Sequence, residues 1–406
     1  MAADYDSSFM TTGADIGESV GVRQGRMNTL IVGAGIAGMT LAALLRQRDE
    51  YPVIIERAAG FGDGGYNLAL YPLGSRVLHG LRLFDRFLES SVPCYRYQLF
   101  NGHGELVHDF DFGSLRDQYG PIQGIRRREL LEILSAGADG IPVHFGIALT
   151  GLEDRGEKIL ATFSDRSTAE FDLVVAADGM HSETRPIILG QDEFAYWESG
   201  WACWLAWAPG QILPPATSAE FWGAGRLIGV YPVKDANGVV LAGPAKLLSK
   251  EGRTGFMQHI GKHFGMFEGQ ARAALQAISG AEEAFFWDLH DCRTKFWSKG
   301  RVVLLGDAAA GFLPTAGIGA SMAMLSAAAL ADELSRADAG HVEYALRLFE
   351  RRNRKRVEAA QDTSRRLARI MMIDSLPMAW GRDQLVKLYT FDRALKDAVD
   401  LMEGSS

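Results

Sequence analysis

The chain has 406 residues, enough for two or three domain-sized units, and 42 Lys+Arg against 50 Asp+Glu leave a net charge of −8. That balance excludes the basic surface of a dedicated nucleic-acid binder, and 47% hydrophobic with 23% charged residues excludes a disordered or collagen-like chain. Glycine is in excess, 46 of 406 residues, against a usual share of about 7%, which points to tight turns and close backbone approaches.

Residues 1–27 are small, polar and aperiodic and read as a disordered tail, with Met27 a candidate natural start. They lack the basic start and apolar core of a secretory signal. The run Thr29-Leu-Ile-Val32 has the continuous apolar texture of a parallel strand covered on both faces. It leads into Gly33-Ala-Gly35-Ile36-Ala37-Gly38, a helix-forming run to Arg46, and a second apolar strand, Val53-Ile-Ile55, that ends in Glu56-Arg57. Strand, glycine loop, helix, strand and acid form the βαβ unit that rests a diphosphate on a helix N-terminus. Gly33 serves the turn, Gly35 the approach of amides to phosphate, and Gly38 the packing of helix on strand. Glu56 accepts ribose hydroxyls and repels a 2′-phosphate, so this loop should hold FAD or NAD and not NADP.

Gly60 to Gly65 is a turn-rich stretch, Asn67–Pro72 a strand edge before a helix near Leu73–Leu83, and Gln123–Leu134 an Arg-rich helix entry. Phe171–Ala177 reads as another buried strand, ending in Asp178-Gly179. Between about Phe194 and Ala245 the texture changes to crowded aromatics (Trp197, Trp201, Trp204, Trp207, Phe221, Trp222, Tyr231), as in antiparallel strands of a second domain. Arg301–Leu305 returns to the parallel style, ends in Gly306-Asp307, and passes Pro314 into an Ala-rich helix near Ile318–Ser335. The uncharged stretch Ala308–Ala331 is broken by Pro314 and several glycines, so no membrane span is expected. The basic run from Arg347 to Arg369 reads as a solvated helix face, as does the pair Glu282-Glu283. Cys94, Cys203 and Cys292 stand far apart, with no Cys-x-x-Cys, so neither disulfide framework nor metal site is expected and a cytoplasmic setting is favoured.

Asp178-Gly-Met-His-Ser182-Glu-Thr-Arg185 fits a D-G-x-x-S-x-x-R pattern, and Gly306-Asp307-Ala-Ala with Pro314 and Gly317-Ile-Gly319 fits G-D-A-A-x(4)-P-x-x-G-x-G. With the GxGxxG loop, these resemble the three fingerprints of the group A, single-component FAD-dependent aromatic monooxygenases, whose fold is that of p-hydroxybenzoate hydroxylase. The resemblance runs from about residue 28 to about 350. It implies an α/β protein: a Rossmann-like FAD-binding domain (28–90, 120–190, 286–345), an inserted, mainly antiparallel β-sheet substrate domain (91–119, 191–285) and C-terminal helices (346–406).

The same resemblance implies the activity. NADPH or NADH reduces FAD, O2 gives a flavin C4a-hydroperoxide, and one oxygen passes to a small aromatic or polycyclic substrate. The helix after Gly317-Ile-Gly319-Ala320 would aim its N-terminus at the flavin pyrimidine edge, and Asp307 would bind a ribityl hydroxyl. Arg127 would touch flavin phosphate or ribityl oxygens, and Asp178-Gly179 with Arg185 would lie near the diphosphate and the NAD(P)H encounter. Trp222, Arg226, Tyr231 and Pro314 are the candidate substrate-lining residues, and no acid–base residue stands out; His181 is expected to pack locally. The enzyme is expected to act as a monomer or homodimer. Alternatives are a prenyl-lipid reductase of related fold, a non-catalytic flavoprotein module and a flavin-dependent halogenase. The halogenase fits worst, since its catalytic lysine has no counterpart: the first lysine of the chain is Lys158.

Overall fold

A computed structural model describes Ile16 and residues 27–62, 66–263, 269–281 and 284–387. The rest of the expected tail, the Gly64-Gly65 turn, Glu282-Glu283 and residues 388–406 of the expected C-terminal helical region lie outside the described residues. Of residues 1–26 only Ile16 is described; it is buried against Leu30, Val32, Ile55 and Phe171, where an apolar side chain near the sheet gains more from burial than from solvent.

Six strands form the first sheet, in the order Ser298–Lys299, Val302–Leu304, Leu173–Ala176, Thr29–Val32, Val53–Glu56 and Val143–Phe145. All but the antiparallel edge strand Ser298–Lys299 run parallel. Thr29–Val32 and Leu173–Ala176 are buried along their whole length, which explains their unbroken apolar sequence. The helices Ile36–Arg46 and Gly319–Leu334 pack together in the core beside this sheet. The order places the loops after Val32, Glu56, Ala176 and Leu304 at the carboxyl ends of adjoining strands, the crevice where such sheets bind ligands.

A second sheet has eight strands: Ala310–Gly311, Phe285–Thr294, Phe194–Pro209, Ala236–Pro244, Arg226–Val233, Thr217–Gly223, Arg96–Asn101 and Leu106–Asp111. Only Thr217–Gly223 with Arg96–Asn101 is a parallel pair. The strand Phe285–Thr294 comes from the stretch expected in the FAD unit, yet pairs with Phe194–Pro209. Conversely, Val92–Cys94 pairs with Ile122–Arg126 in a small sheet with Asn67–Leu70, on the nucleotide side. Strand pairing thus crosses the segment bounds that the resemblance implies.

One face of the eight-stranded sheet buries Ala206, Phe221, Ile228, Val230 and Leu241 under the helices Ala245–His263 and Gln270–Gly280. The other carries Trp201, Cys203, Leu205, Trp222 and Leu227 and packs on Leu313, Ala368 and Met371. The long helix Val342–Met371 closes that side with its apolar face, while Arg347, Arg351, Arg352, Lys355, Arg366 and Arg369 are exposed on the solvated face. Arg365 makes a two-pronged ion pair at 2.6 and 2.7 Å with Asp291, which is 0% exposed. Gln361 Nε2 donates to the carbonyls of Cys292 and Gly311, and Arg354 to that of Thr294. A buried carboxylate needs such a partner, and the helix is held to the strand through it.

Candidate active site

The glycine loop is shaped by two different demands. Gly33 has φ +103°, and a Cβ there would lie 2.6 Å from the carbonyl oxygen of Ala177. A Cβ on Gly38 would overlap the carbonyl oxygen of Gly33. The fold itself therefore excludes side chains at both. A Cβ on Gly35 would meet only Ala177 O, at 3.9 Å. The protein leaves that space open, as a cradle for a ligand group must. Gly35 is the N-cap of the helix Ile36–Arg46, which has no capping side chain and no acid in its first turn. The amides that open the helix at Ile36, Ala37 and Gly38 are left to bind an anion. Glu56 stands at the end of the next strand and accepts from the amides of Ala34 and Ala58, both at 2.9 Å. These bonds fix the carboxylate and leave lone pairs for hydroxyl donors. Arg57 is exposed and ion-paired with Glu183 at 2.8 Å.

The two later fingerprints meet beside this loop. Asp178 Oδ2 accepts from the Thr184 amide at 3.0 Å, whereas its Oδ1 is buried with no hydrogen-bond partner. Gly179 follows with φ +83°. Asp307 lies half-buried at the end of Val302–Leu304, and burial pushes its carboxyl from 3.8 up to about 6 against the pull of Arg185. A Cβ on Gly306 would come within 2.8 Å of Ala37 Cβ, so the third fingerprint packs on the first helix. Gly317 has φ +62° and leads into Gly319–Leu334, a second helix with no side-chain cap. Pro314 is exposed, and Gly319 and Ala320 are half-buried at the helix start. Arg127, also half-buried, opens the helix Arg127–Gly137 and bonds to the side chain of Tyr66.

Arg185 departs from expectation. It is 0% exposed, and its guanidinium donates to the carbonyls of Ala308, Met180, Gly179 and Asp307 and to the Tyr196 hydroxyl. All five acceptors belong to the protein, so Arg185 ties the second fingerprint to the third and is not available to an incoming nucleotide. His181 is exposed and packs locally, its ring 5.0 Å edge-on from His290. Burial and the neighbouring His290 hold its pKa down.

Trp222 and Tyr231 lie on the sheet face that looks toward Leu313 and the third fingerprint. Both reach one residue that the sequence reading missed. Trp222 Nε1 donates to Glu220 Oε2 and the Tyr231 hydroxyl to Glu220 Oε1, each at 2.6 Å. Tyr97, from the neighbouring strand, interacts with the same carboxyl. The available signal was a single acid in Thr217–Gly223, a strand buried at all seven positions. Arg226 is a correction: strand alternation puts it with Ile228 and Val230, on the helix-covered face, and not with Trp222 and Tyr231. Tyr71 completes the surroundings, with its hydroxyl donating to the Ala316 carbonyl at 3.1 Å and its ring near Gly317.

These features fit FAD: an open glycine cradle, two uncapped helix starts, an acid at the second strand end and an unsatisfied carboxylate oxygen. The family model described as FAD binding domain matches residues 26–365. The chain belongs to this family. The 3-amino-4-hydroxybenzoate 2-monooxygenase of Streptomyces cremeus is 30% identical over 389 residues, covering 91% of this chain and 97% of that protein. The 2-heptyl-3-hydroxy-4(1H)-quinolone synthase of Pseudomonas aeruginosa (strain PAO1) is 27% identical over 365 residues, covering 89% and 94%. Klebsiella pneumoniae HpxO, solved with FAD and uric acid, superposes with TM-score 0.83 at 24% identity, over 93% of this chain and 97% of that one. The protein is a group A, FAD-dependent flavin monooxygenase with the p-hydroxybenzoate hydroxylase-like fold. No helix among the described residues is long and apolar enough to cross a membrane, and none of those residues cluster as metal ligands.

Proposed function

We propose that this monooxygenase oxygenates a flat one- or two-ring aromatic compound seated between the Trp222 face of the eight-stranded sheet and the Pro314–Ala320 segment. One observation carries the reading: Trp201, Trp222 and Leu227 pack in one cluster with Leu313, directly before Pro314. That apolar face excludes water and offers rings for a flat substrate to stack on. The two relatives named for aminohydroxybenzoate and quinolone support the size class.

Bound FAD supplies the redox chemistry, taking reducing equivalents from NADPH or NADH and delivering one atom of O2 to the substrate. In this reading Gly33, Gly35, Ile36, Ala37 and Gly38 hold the diphosphate, and Glu56 the adenosine ribose, with Arg57 at the rim. Arg127, Asp178, Gly179, Gly306 and Asp307 flank the ribityl chain and diphosphate. The Gly317–Ala320 amides face the flavin edge where negative charge collects. Trp222, Tyr231 and Pro314 bound the substrate. We further propose two units, the parallel-sheet FAD unit and the eight-stranded substrate unit, in a cytoplasmic monomer or homodimer; the three buried free cysteines are consistent with a reducing compartment. The test is substrate-dependent NAD(P)H oxidation, O2 uptake and product mass for the yellow protein with aminohydroxybenzoates, quinolones and phenols. Oxygenated product is expected from at least one class; tight FAD with no oxygenated product from any would overturn the proposal.

A further inference from the structure

Glu220 is a carboxyl where a sheet face otherwise turns apolar, 6% exposed, on the side that meets Leu313 and Tyr71. Three donors converge on it. Tyr231 reaches it because its ring folds back over Gly229, the residue that pairs in register with Glu220; a Cβ on Gly229 would lie 2.5 Å from the Tyr231 oxygen. Trp222 comes from the same strand and Tyr97 from the parallel neighbour. Burial pushes the Glu220 carboxyl up, and the bonds from Tyr231, Trp222 and Tyr97 pull it back. Burial and the Glu220 charge hold both tyrosines well above 10, so they stay protonated. A phenol whose only O–H is committed to a hydrogen bond with a carboxylate has nothing left to donate. What its oxygen still presents is lone pairs.

We propose that Glu220 is a positioning residue that sets the hydrogen-bond polarity of the substrate site. By accepting the hydrogen bonds of the Tyr231 and Tyr97 hydroxyls it leaves both oxygens as acceptors, so the site selects aromatics that bring an O–H or N–H donor, a phenol, an arylamine or a ring N–H. A site built of acceptors rejects an analogue that lacks the donor, because its buried oxygens are then left unpaired. The inference rests on the sheet face being the substrate site.

The experiment uses FAD-loaded enzyme and matched probe pairs: 4-hydroxybenzoate against 4-methoxybenzoate, and 4(1H)-quinolone against its N-methyl derivative. Binding is read from the flavin absorbance, and KM and kcat are determined separately. Wild type should favour the donor member of a pair by about tenfold or more. Glu220→Gln, whose amide can donate to one tyrosine and reverse its polarity, should bring the ratio near one and raise KM far more than it lowers kcat. Gly229→Ala, which lifts Tyr231 off Glu220, should lower the ratio in the same direction with full FAD content, and Glu220→Asp should restore part of it. A Glu220→Gln enzyme with wild-type FAD content and an unchanged ratio overturns the polarity assignment alone. If no member of either pair perturbs the flavin of the wild-type enzyme, the substrate-face reading falls, and this inference with it. Should Glu220→Gln fail to fold, Gly229→Ala and Tyr231→Phe decide by the same ratio.

Discussion

Carboxylates in the two large sheets are handled in opposite ways. In the parallel sheet Glu56, Asp178 and Asp307 each stand at the carboxyl end of a strand, bound only to backbone amides or left with an oxygen to offer. In the eight-stranded sheet Glu220 lies within a strand and is engaged by side chains from its own strand and both neighbours. The first arrangement keeps hydrogen-bonding capacity for a cofactor. The second uses up the acid internally and changes what its neighbours can offer. A strand end is a place to hold a ligand, whereas a mid-strand acid must be satisfied by the fold before it can influence one.

The contrast sharpens first at the glycines. Gly35→Val should give a folded but colourless protein, with FAD affinity reduced by about a hundredfold or more, because only ligand space is filled. Gly38→Ala should instead lower the apo-protein melting temperature, at a cost of about 2 kcal/mol, because its Cβ strikes the loop carbonyl. Stoichiometric FAD on Gly35→Val would break the assignment of that cradle.

Arg185 tests whether the fingerprints are joined structurally. Arg185→Met strands several buried acceptors and should cost at least about 3 kcal/mol, read from the urea midpoint of the apo-protein. An unchanged midpoint with impaired NAD(P)H oxidation would return Arg185 to the reductant role expected from sequence.

The smallest effect concerns Asp307. Its carboxyl is raised from 3.8 to about 6 in the folded protein, so the folded state holds a proton that the unfolded state has released. Its contribution should therefore make the apo-protein less stable as pH rises from about 4 to about 6, and level off above. Asp307→Asn removes that component. The difference between the two melting-temperature profiles isolates it from the other carboxylates, and a flat difference would show that Asp307 is not desolvated.

The nucleotide side was legible because each of its parts is a contiguous run. Gly33 to Gly38, Asp178-Gly179 and Gly306 to Gly319 carry their geometry in neighbouring residues, and the apolar strands before them announce where they sit. Arg185 belongs to one of these runs, yet its structural role was not legible there, because its acceptors at Ala308 and Asp307 lie more than a hundred residues away. Trp222 and Tyr231 were picked from the aromatic texture, but the face of Arg226 depended on strand alternation and Glu220 on cross-strand register. The basic run Arg347–Arg369 is solvated at most of its positions, but the pairing of Arg365 was not legible, because Asp291, which it neutralises, is on a distant strand.

The sequence by itself determined the class of fold, the cofactor and the order of its binding loops, since short-range turn chemistry and strand hydrophobicity suffice to specify a helix start aimed at a phosphate. Only the tertiary structure decided which side of each strand faces the substrate, and it alone brought Tyr97, Glu220, Trp222 and Tyr231 together. Side chains alternate every residue along a strand, so a register fixed by distant pairing sets the chemistry of the face, and no local run of residues encodes it.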